Sequence, residues 1–434
     1  MSLLHSFSKP AIRGEVDLFS VPATDTTCDY SMYEEFQPIV NVQDSSNKIE
    51  FKIPGNGTHY LDLADSFIRI RLKVTQKNGE VLSEDSNMGT VNLFLHSLFS
   101  QLDIYFNEKL VSTSNNGYPY RAYIETLLSY GKEYKSSQGG CALYYEDTNG
   151  GVADSTNTGW TKRKNHIAKS KPVELIDKLR FNLGNQGRYV LNNVNVRICL
   201  TRTSDSFALF CGGSESEQAI IKLLSATYYI RKQLPFPSIV LAHQRLLEKG
   251  EIAQYPFKNT EVKYFTISQG SSSAVEENLF PNTVPSRIVV GFVDSQSFNG
   301  NSSLNPFRFH HYFVKSIGIC INNIPMPIRP LNLDFEENEC LLPYYLLFTS
   351  TGIAGQDVGL SFSRDEYAES NALFTFDIQQ PVGNDALVSL EKTGSVKIEV
   401  QFGKALTKSV HCIVLSEHQG VLEIDKYRQA VVSS

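Results

Sequence analysis

The stretch Asn92–Gly131 has the sequence NLFLHSLFSQLDIYFNEKLVSTSNNGYPYRAYIETLLSYG, and it decides how the whole chain folds. Leu102, Ile104 and Phe106 alternate with more polar residues, which is the period of a strand with one buried face. Asn107-Glu108 then predicts a tight reversal, after which the chain returns as a second strand. The stretch therefore predicts a β-hairpin, and we expect the three alternating apolar residues to lie in a core.

A short helix is predicted after this hairpin, between Tyr120 and Tyr130. Tyr120, Tyr123 and Leu127 recur at helical spacing, so their side chains share one side of the helix. Gly131 follows at a position where helices commonly end. We expect the apolar side of this helix to brace the fold.

The same order of elements recurs between Phe313 and Gly352. A strand, IGICI, is followed by a turn at Asn322-Asn323, an irregular link and the apolar segment CLLPYYLLFTSTG, which predicts a helix or a strand. Ile104 corresponds to Ile319 at an offset of 215 residues, from 319 minus 104. Because this offset is half the chain, we expect one fold to be present twice.

The composition is that of a packed, β-rich protein. The chain has 434 residues, of which 41% are hydrophobic and 20% charged, and it contains 26 Phe and 21 Tyr but one Trp. This length exceeds one ordinary core and fits two domains of about 200 residues. The aromatic content favours strands over helices.

Several classes of protein are excluded by charge and hydropathy. The net charge of −6 argues against a chain that wraps nucleic acid with its own tails. No apolar run approaches the ~20 residues of a membrane span, and the N-terminus lacks the pattern of a secretion signal. The seven cysteines include no CxxC pair. They predict free thiols in an intracellular reducing compartment, either the cytoplasm or the nucleus.

The chain divides into four predicted segments. Residues 1–47 form an N-terminal arm whose spaced apolar anchors we expect to dock on the body or on a neighbouring subunit. Residues 48–236 form the first domain, residues 237–250 a linker helix capped by Ser238, and residues 251–434 the second domain.

Each domain contains about eight short strands separated by turn signals, without long helices. This count predicts an all-β fold in which each domain is a sandwich or a jelly roll. It consists of two tandem eight-stranded antiparallel β-sandwiches, with short helices in the connecting loops.

A basic cluster lies within a Gly-, Ser- and Asn-rich excursion between residues 131 and 172. We interpret it as a solvated loop, with a nucleic-acid contact or a nuclear import signal as the alternatives. Its members are Lys162, Arg163, Lys164, Lys169 and Lys171.

No catalytic, cofactor or metal site is predicted, and the chain is not expected to be an enzyme. The motifs GxSxG, HExxH, GxGxxG and the P-loop are absent from the sequence. His310 and His311 would point to opposite faces of a strand, which disfavours a shared metal. The acidic segment Asp334–Glu339 is interpreted as a solvated loop, with cation binding as the alternative.

Several long segments resemble the major capsid proteins of the Polinton (Maverick) elements and the related adintoviruses. The resemblance runs from about Asp17 to Val432, nearly the whole chain. The matching segments are DLFSVPAT (17–24), YLDLADSFIRIRLKV (60–74), NLFLHSLFSQLDIYFN (92–107), YPYRAYIETLLSYG (118–131), LAHQRLLEKG (241–250), NPFRFHHY (305–312), RDEYAESNALFTFDI (364–378) and FGKALTKSVHCIVLSE (402–417).

The resemblance implies a structural role in a virion. Members of this family are double jelly rolls that form homotrimeric, pseudo-hexagonal capsomers. These tile an icosahedral shell around double-stranded DNA, together with neighbouring capsomers and a penton protein. Residues 131–172 would then be an exterior loop, and Tyr118–Tyr130 would brace the sandwich or the trimer seam.

Two alternatives to a shell protein remain at this stage. One is a host-domesticated copy that no longer assembles. The other is a β-sandwich that binds a glycan or a receptor, which would predict a monomer with an aromatic-lined pocket.

Overall fold

The computed structural model describes residues 7–42, 47–83, 86–212, 219–277, 279–281, 283–379 and 392–433. Within these ranges the chain forms two four-stranded sheets, two five-stranded sheets and one two-stranded sheet. The strands of the first half are β1 (Cys28–Phe36), β2 (Lys48–Ile53), β3 (Tyr60–Gln76), β4 (Met88–Thr90), β5 (Phe99–Phe106), β6 (Lys109–Thr113), β7 (Val173–Asp177), β8 (Val196–Arg202), β9 (Leu209–Cys211) and β10 (Ala219–Pro235).

The second half contains a similar series of strands, and short helices lie in the connections of both halves. The strands are β11 (Ala253–Ile267), β12 (Ser273–Glu276), β13 (Arg287–Asp294), β14 (Val314–Ile321), β15 (Ile324–Pro325), β16 (Leu331–Asn332), β17 (Leu373–Asp377), β18 (Val396–Phe402), β19 (Val410–Ile424) and β20 (Ala430–Ser433). The α-helices are α1 (Phe94–Ser97), α2 (Tyr118–Ser129), α3 (Lys132–Ser136), α4 (Thr158–Ile167), α5 (Asp205–Ala208), α6 (Pro237–Glu248), α7 (Ser295–Phe298), α8 (Leu341–Ser350) and α9 (Arg364–Ser370). The 3₁₀ helices are Gly14–Val16, Gln138–Ala142, Asn149–Gly151, Ala168–Ser170 and Asn182–Asn185.

Both halves have the strand order of a jelly roll. In the first half the sheet β1-β10-β3-β7 faces the sheet β2-β8-β5-β6, and in the second half β11-β19-β13-β17 faces β12-β18-β14-β15. With β4, β9, β16 and β20 set aside, eight strands remain in each half, and their order in the two sheets is 1-8-3-6 and 2-7-4-5 both times. The predicted double jelly roll is confirmed.

The repeated hairpin also has the same turn in both halves. Asn107 and Glu108 connect β5 to β6 with φ of 45° and 65°, and Asn322 and Asn323 connect β14 to β15 with φ of 50° and 64°. A two-residue turn with positive φ at both positions matches the twist of the strands, and Asn tolerates this conformation. The two hairpins lie at equivalent places in their sandwiches, as the 215-residue repeat predicts.

The predicted arm needs a correction at residues 28–36. These residues form β1, which pairs with β10 from Cys28↔Pro235 to Phe36↔Tyr228. β1 is an edge strand and mostly exposed on both faces, so it lacks the apolar alternation that would have marked it as a strand. Residues 1–6 and 43–46 of the predicted arm lie outside the described residues.

The linker helix begins differently from the prediction. Pro237 is the first helical residue, and Ser238 lies inside α6 instead of capping it. Proline suits this position because its fixed φ is helical and its missing N–H has no partner in a first turn.

One sheet is buried on both faces. In β13, Val289 and Val293 face the first sandwich, while Val290 and Phe292 face the core of the second sandwich. Strands buried on both faces have continuous apolar runs, which explains the segment RIVVGFV at 287–293. The sheet β11-β19-β13-β17 is therefore the wall that the two sandwiches share.

The two sandwiches stand side by side, and their corresponding ends point in the same direction. Connections of an antiparallel jelly roll alternate between its two ends, so the long connections of each half share one end, here called the elaborated end. There the Cys211 N–H donates to the carbonyl of Ser302 at 2.7 Å. At the opposite end the side chain of Asn107 donates to the carbonyl of Arg428 at 2.8 Å.

Candidate assembly surfaces

Helix α2 lies in the joint between the two sandwiches. Tyr123 stacks on Phe307 of the second half with ring centroids 4.3 Å apart, and Tyr120 stacks on Phe298 at 5.4 Å. Tyr120, Tyr123 and Leu127 are all buried. The aromatic side of α2 thus braces one half of the chain against the other.

The hairpin residues lie in the interior of the first sandwich. Leu102, Ile104 and Phe106 are buried in the large core that continues into the joint. Strand β5 leads directly into β6 and then into α2. The stretch Asn92–Gly131 therefore places α2 in the joint between the two sandwiches.

A buried arginine fixes the orientation of α2 across the joint. Arg121 donates to the side-chain oxygen of Asn182 at 2.7 Å and to the carbonyl of Thr260 in β11 at 3.1 Å. Its charge is balanced by Glu125 one turn later, at 2.9 Å. Because these bonds are directional, they add a fixed geometry to the apolar contact. Sequence patterns did not single out Arg121.

The basic cluster contains one residue that is not on the surface. Arg163 is fully buried and donates to the carbonyls of Thr90 at 3.0 Å and Tyr145 at 2.7 Å, while its second terminal nitrogen pairs with Asp147 at 2.6 Å. Its inclusion in a solvent-facing patch was wrong. An arginine whose donors all have partners inside the fold holds connections together.

The remaining basic side chains of the cluster form a smaller surface group. Lys162, Lys169 and Lys171 are exposed, whereas Lys164 is half-buried and donates to Asn87 at 3.2 Å. A nucleic-acid contact or an import signal at these lysines stays a prediction.

The excursion between residues 131 and 172 is more ordered than a solvated loop. It contains α3, α4 and three 3₁₀ helices, and it buries Tyr144 and Trp160. The indole N–H of Trp160 donates to the carbonyl of Phe210 at 3.0 Å, which ties α4 to the connection between β8 and β10. Sequence composition missed this because the buried partners are far apart in the chain.

The adjacent histidines lie in a turn, not in a strand. The rings of His310 and His311 stack with centroids 4.4 Å apart, so the expectation that they point to opposite faces was wrong. Each Nδ1 accepts a backbone N–H from two residues onward, Tyr312 and Phe313, both at 2.9 Å. Burial lowers the pKa of each histidine to about 4, so both are neutral at pH 7.

No metal centre is found where the structure describes the chain. Among the described residues no three His, Cys, Asp or Glu side chains are grouped so that they could hold an ion. In the acidic segment the carboxylate of Asp334 accepts the backbone N–H groups of Glu336 and Glu337, at 2.9 and 3.2 Å. This carboxylate therefore caps its own turn.

A cavity of about 460 Å³ lies at the elaborated end between the two sandwiches. Gly151–Ala153 and Phe210 line it from the first half, and the ion pair of Asp294 with Lys408, 2.9 Å apart, lines it from the second. The cavity therefore lies where connections from the two halves meet.

Three apolar surfaces of the described chain are open to solvent. The first is the arm from residue 7 to residue 27, where Phe19 is 98% exposed. The second is the outer side of α8, and the third is the outer face of the sheet β1-β10-β3-β7, which carries Tyr33. Groups of exposed apolar side chains are typical of sites of protein–protein contact.

No helix among the described residues is both long and apolar enough to cross a membrane. The scan for protein families found no matching family model. An uncharacterized protein of Caenorhabditis elegans is 24% identical over 429 residues, which cover 95% of this chain and 100% of that protein.

Solved structures of viral proteins share the fold over the full length. A chain of the Sputnik virophage has a TM-score of 0.62 at 11% identity, covering 100% of this chain and 94% of its own. The mavirus major capsid protein has a TM-score of 0.54 at 11% identity, covering 100% and 97%. The Faustovirus major capsid protein has a TM-score of 0.51 at 8% identity, covering 93% and 92%. The chain thus has the double jelly-roll fold that these capsid proteins share.

Proposed function

We propose that this chain is a major capsid protein whose three copies form a pseudo-hexagonal capsomer of an icosahedral shell. The observation that carries the proposal is the pair of sandwiches with one strand order, standing side by side in the same direction. Three such chains present six similar units, which suits a lattice of hexagonal tiles.

The sequence segments support a more specific origin, in the Polinton (Maverick) elements or the adintoviruses. The nematode relative supports an element that is carried by animals. In this proposal the shell encloses double-stranded DNA, and the partners of the capsomer are its neighbours and a penton protein. None of the seven cysteines, all of which lie in the described residues, forms a disulfide, which supports assembly in an intracellular reducing compartment.

The arm is proposed to bridge separate copies. From residue 7 to residue 27 it is exposed throughout, with Phe7, Leu18 and Phe19 each more than three-quarters exposed. Because apolar side chains gain free energy when they leave water, such an arm is stabilised by docking on a neighbouring molecule.

Electron microscopy of the protein expressed alone tests the proposal. Negative-stain images should show hexagonal outlines or closed icosahedral particles. Images of compact single chains only, at concentrations up to those used for capsid reassembly, would contradict the shell role. They would favour a domesticated or ligand-binding sandwich.

A further inference from the structure

Helices α2 and α8 occupy equivalent positions in the order of elements of the two halves. α2 follows the β5–β6 hairpin and precedes β7, and α8 follows the β14–β15 hairpin and precedes β17. In α2, ten of the twelve residues are buried. α8 is apolar on every side, yet Leu341, Leu342 and Tyr345 are 50%, 49% and 56% exposed. A helix that is apolar all round is normally covered on all sides.

The cover of α2 is the outer face of the second sandwich. At the start of α2, Gly117 approaches Val262 of β11 so closely that an added Cβ would lie 2.7 Å from its side chain. Arg121 donates to Thr260 of the same strand at 3.1 Å. The first sandwich therefore presents its helix to the sheet β11-β19-β13-β17 of the second.

The equivalent face of the first sandwich is open to solvent as far as the structure describes the chain. It belongs to the sheet β1-β10-β3-β7 and carries three rings in a row. Tyr33 and Phe67 are 5.5 Å apart, and Phe67 and Tyr229 are stacked at 4.8 Å. Aromatic side chains with charged neighbours are typical of contacts between separate molecules, whereas the covered face of the second sandwich is mainly aliphatic.

The charges of the two uncovered surfaces are complementary. The segment that leads into α8 contains Asp334, Glu336, Glu337 and Glu339, of which Glu336 pairs with Lys404 of the same chain. The outer face of β3 and β10 contains a row of cations, of which Arg69 pairs with Glu174 and Arg231 with Asp65. The cations of this face are Arg69, Arg71, Lys73, Lys222 and Arg231.

We propose that α8 of one copy packs on the outer face of the sheet β1-β10-β3-β7 of the next copy. This repeats between chains the contact that α2 makes within the chain, and it rests on the capsomer proposed above. The contact is head-to-tail, and in the proposed capsomer three such contacts close into a ring of three copies. The exposed side of α8 is then the knob, and the three rings are the surface that receives it.

Two single variants separate the two sides of this contact. Tyr345→Lys removes the knob and Tyr33→Lys disturbs the receiving face, and both side chains are exposed within one chain. In a native mass measurement the unaltered protein should be a trimer and each variant a monomer, with Tm within about 2 °C of the unaltered protein. Val275→Lys, at an equally exposed apolar position on β12, is the matched control and should remain trimeric.

Mixing the two variants tests the head-to-tail geometry. One variant keeps an intact knob and the other an intact receiving face, so the mixture should form dimers of two chains and no trimers. A mixture that remains monomeric, or a variant that remains trimeric, overturns the contact. If the unaltered protein is itself monomeric, this result contradicts the proposed capsomer as well as the proposed contact.

Salt provides a second readout that needs no variant. Raising the ionic strength from about 0.05 M to about 1 M screens the charges at the rim and should shift the unaltered protein from trimers toward monomers. A trimer population independent of salt would overturn the charge complementarity.

Discussion

At the scale of single residues, the charged side chains that matter most in this protein are buried. Arg121 crosses the joint, and Arg163 ties β4 to the connection between β6 and β7. From the sequence, Arg163 was indistinguishable from its basic neighbours, because its partners Thr90 and Asp147 follow no local spacing. The sequence shows that a side chain is charged, but it does not show which carbonyl groups surround that side chain in the fold.

Replacing Arg163 should destabilise the fold. Arg163→Met leaves the half-buried Asp147 without its partner and two carbonyls without donors, so we expect a loss of about 3 kcal/mol in the free energy of unfolding. Chemical denaturation measures this loss. The control Lys162→Met alters an exposed neighbour and should change the free energy by less than about 0.5 kcal/mol. Equal effects of the two substitutions would contradict the buried role.

The histidine pair should make the protein sensitive to acid. The pKa of His310 and that of His311 are about 4 in the folded chain, below the ordinary value of about 6.5. Between these values the unfolded chain binds protons that the folded chain does not, so stability falls as the pH drops from about 6.5 to about 4.

The double variant His310→Asn, His311→Asn tests this assignment. An Asn side chain can accept the same backbone N–H groups but does not titrate. Denaturation midpoints at pH 7.5 and pH 4.5 should differ less in the variant than in the unaltered protein. An unchanged difference would assign the acid sensitivity to other groups.

At the scale of elements, the sequence predicted those structures that have local signals. Asn107-Glu108 and Asn322-Asn323 marked the two hairpins. β1 was missed because an exposed edge strand has no buried face to set a pattern. The order in residues 131–172 depends on distant partners of Trp160, which no local pattern contains.

The joint should contribute a large share of the stability. Phe307 contacts Tyr120, Tyr123 and Phe207, so Phe307→Ala should cost about 3–5 kcal/mol. We also expect unfolding to separate into two transitions, because the sandwiches lose part of their shared core. Differential scanning calorimetry measures both effects. Phe19→Ala, in the exposed arm, is the control, and an equal loss there would refute the role of the joint.

The arm should be needed for shells but not for the fold. Deletion of residues 2–27 removes the exposed segment 7–27 and leaves β1 in place, so we expect a normal Tm, intact capsomers and poor particle formation. Deletion of residues 2–36 also removes β1 and exposes the edge of β10, so this protein should aggregate. Normal particles from the shorter deletion, counted by electron microscopy, would contradict the proposed bridge.

At the scale of the whole molecule, the two sandwiches share a fold but differ in what covers them. The second sandwich has a sheet buried on both faces, whereas the equivalent sheet of the first has an open aromatic face. The first sandwich has its helix buried in the joint, whereas the second has its helix half-exposed. Within one chain, the helix of the first sandwich already packs against the second sandwich. The described residues leave the helix of the second sandwich and the sheet of the first without such a partner.

The native mass of the full-length protein, expressed alone, tests this conclusion most directly. One chain has a mass of 48.6 kDa. If the unmatched surfaces pair between copies and close into a ring, the dominant species should have three times this mass, or should be larger particles built from that unit. A stable, soluble species of 48.6 kDa that does not associate at micromolar concentration would contradict the proposed capsomer.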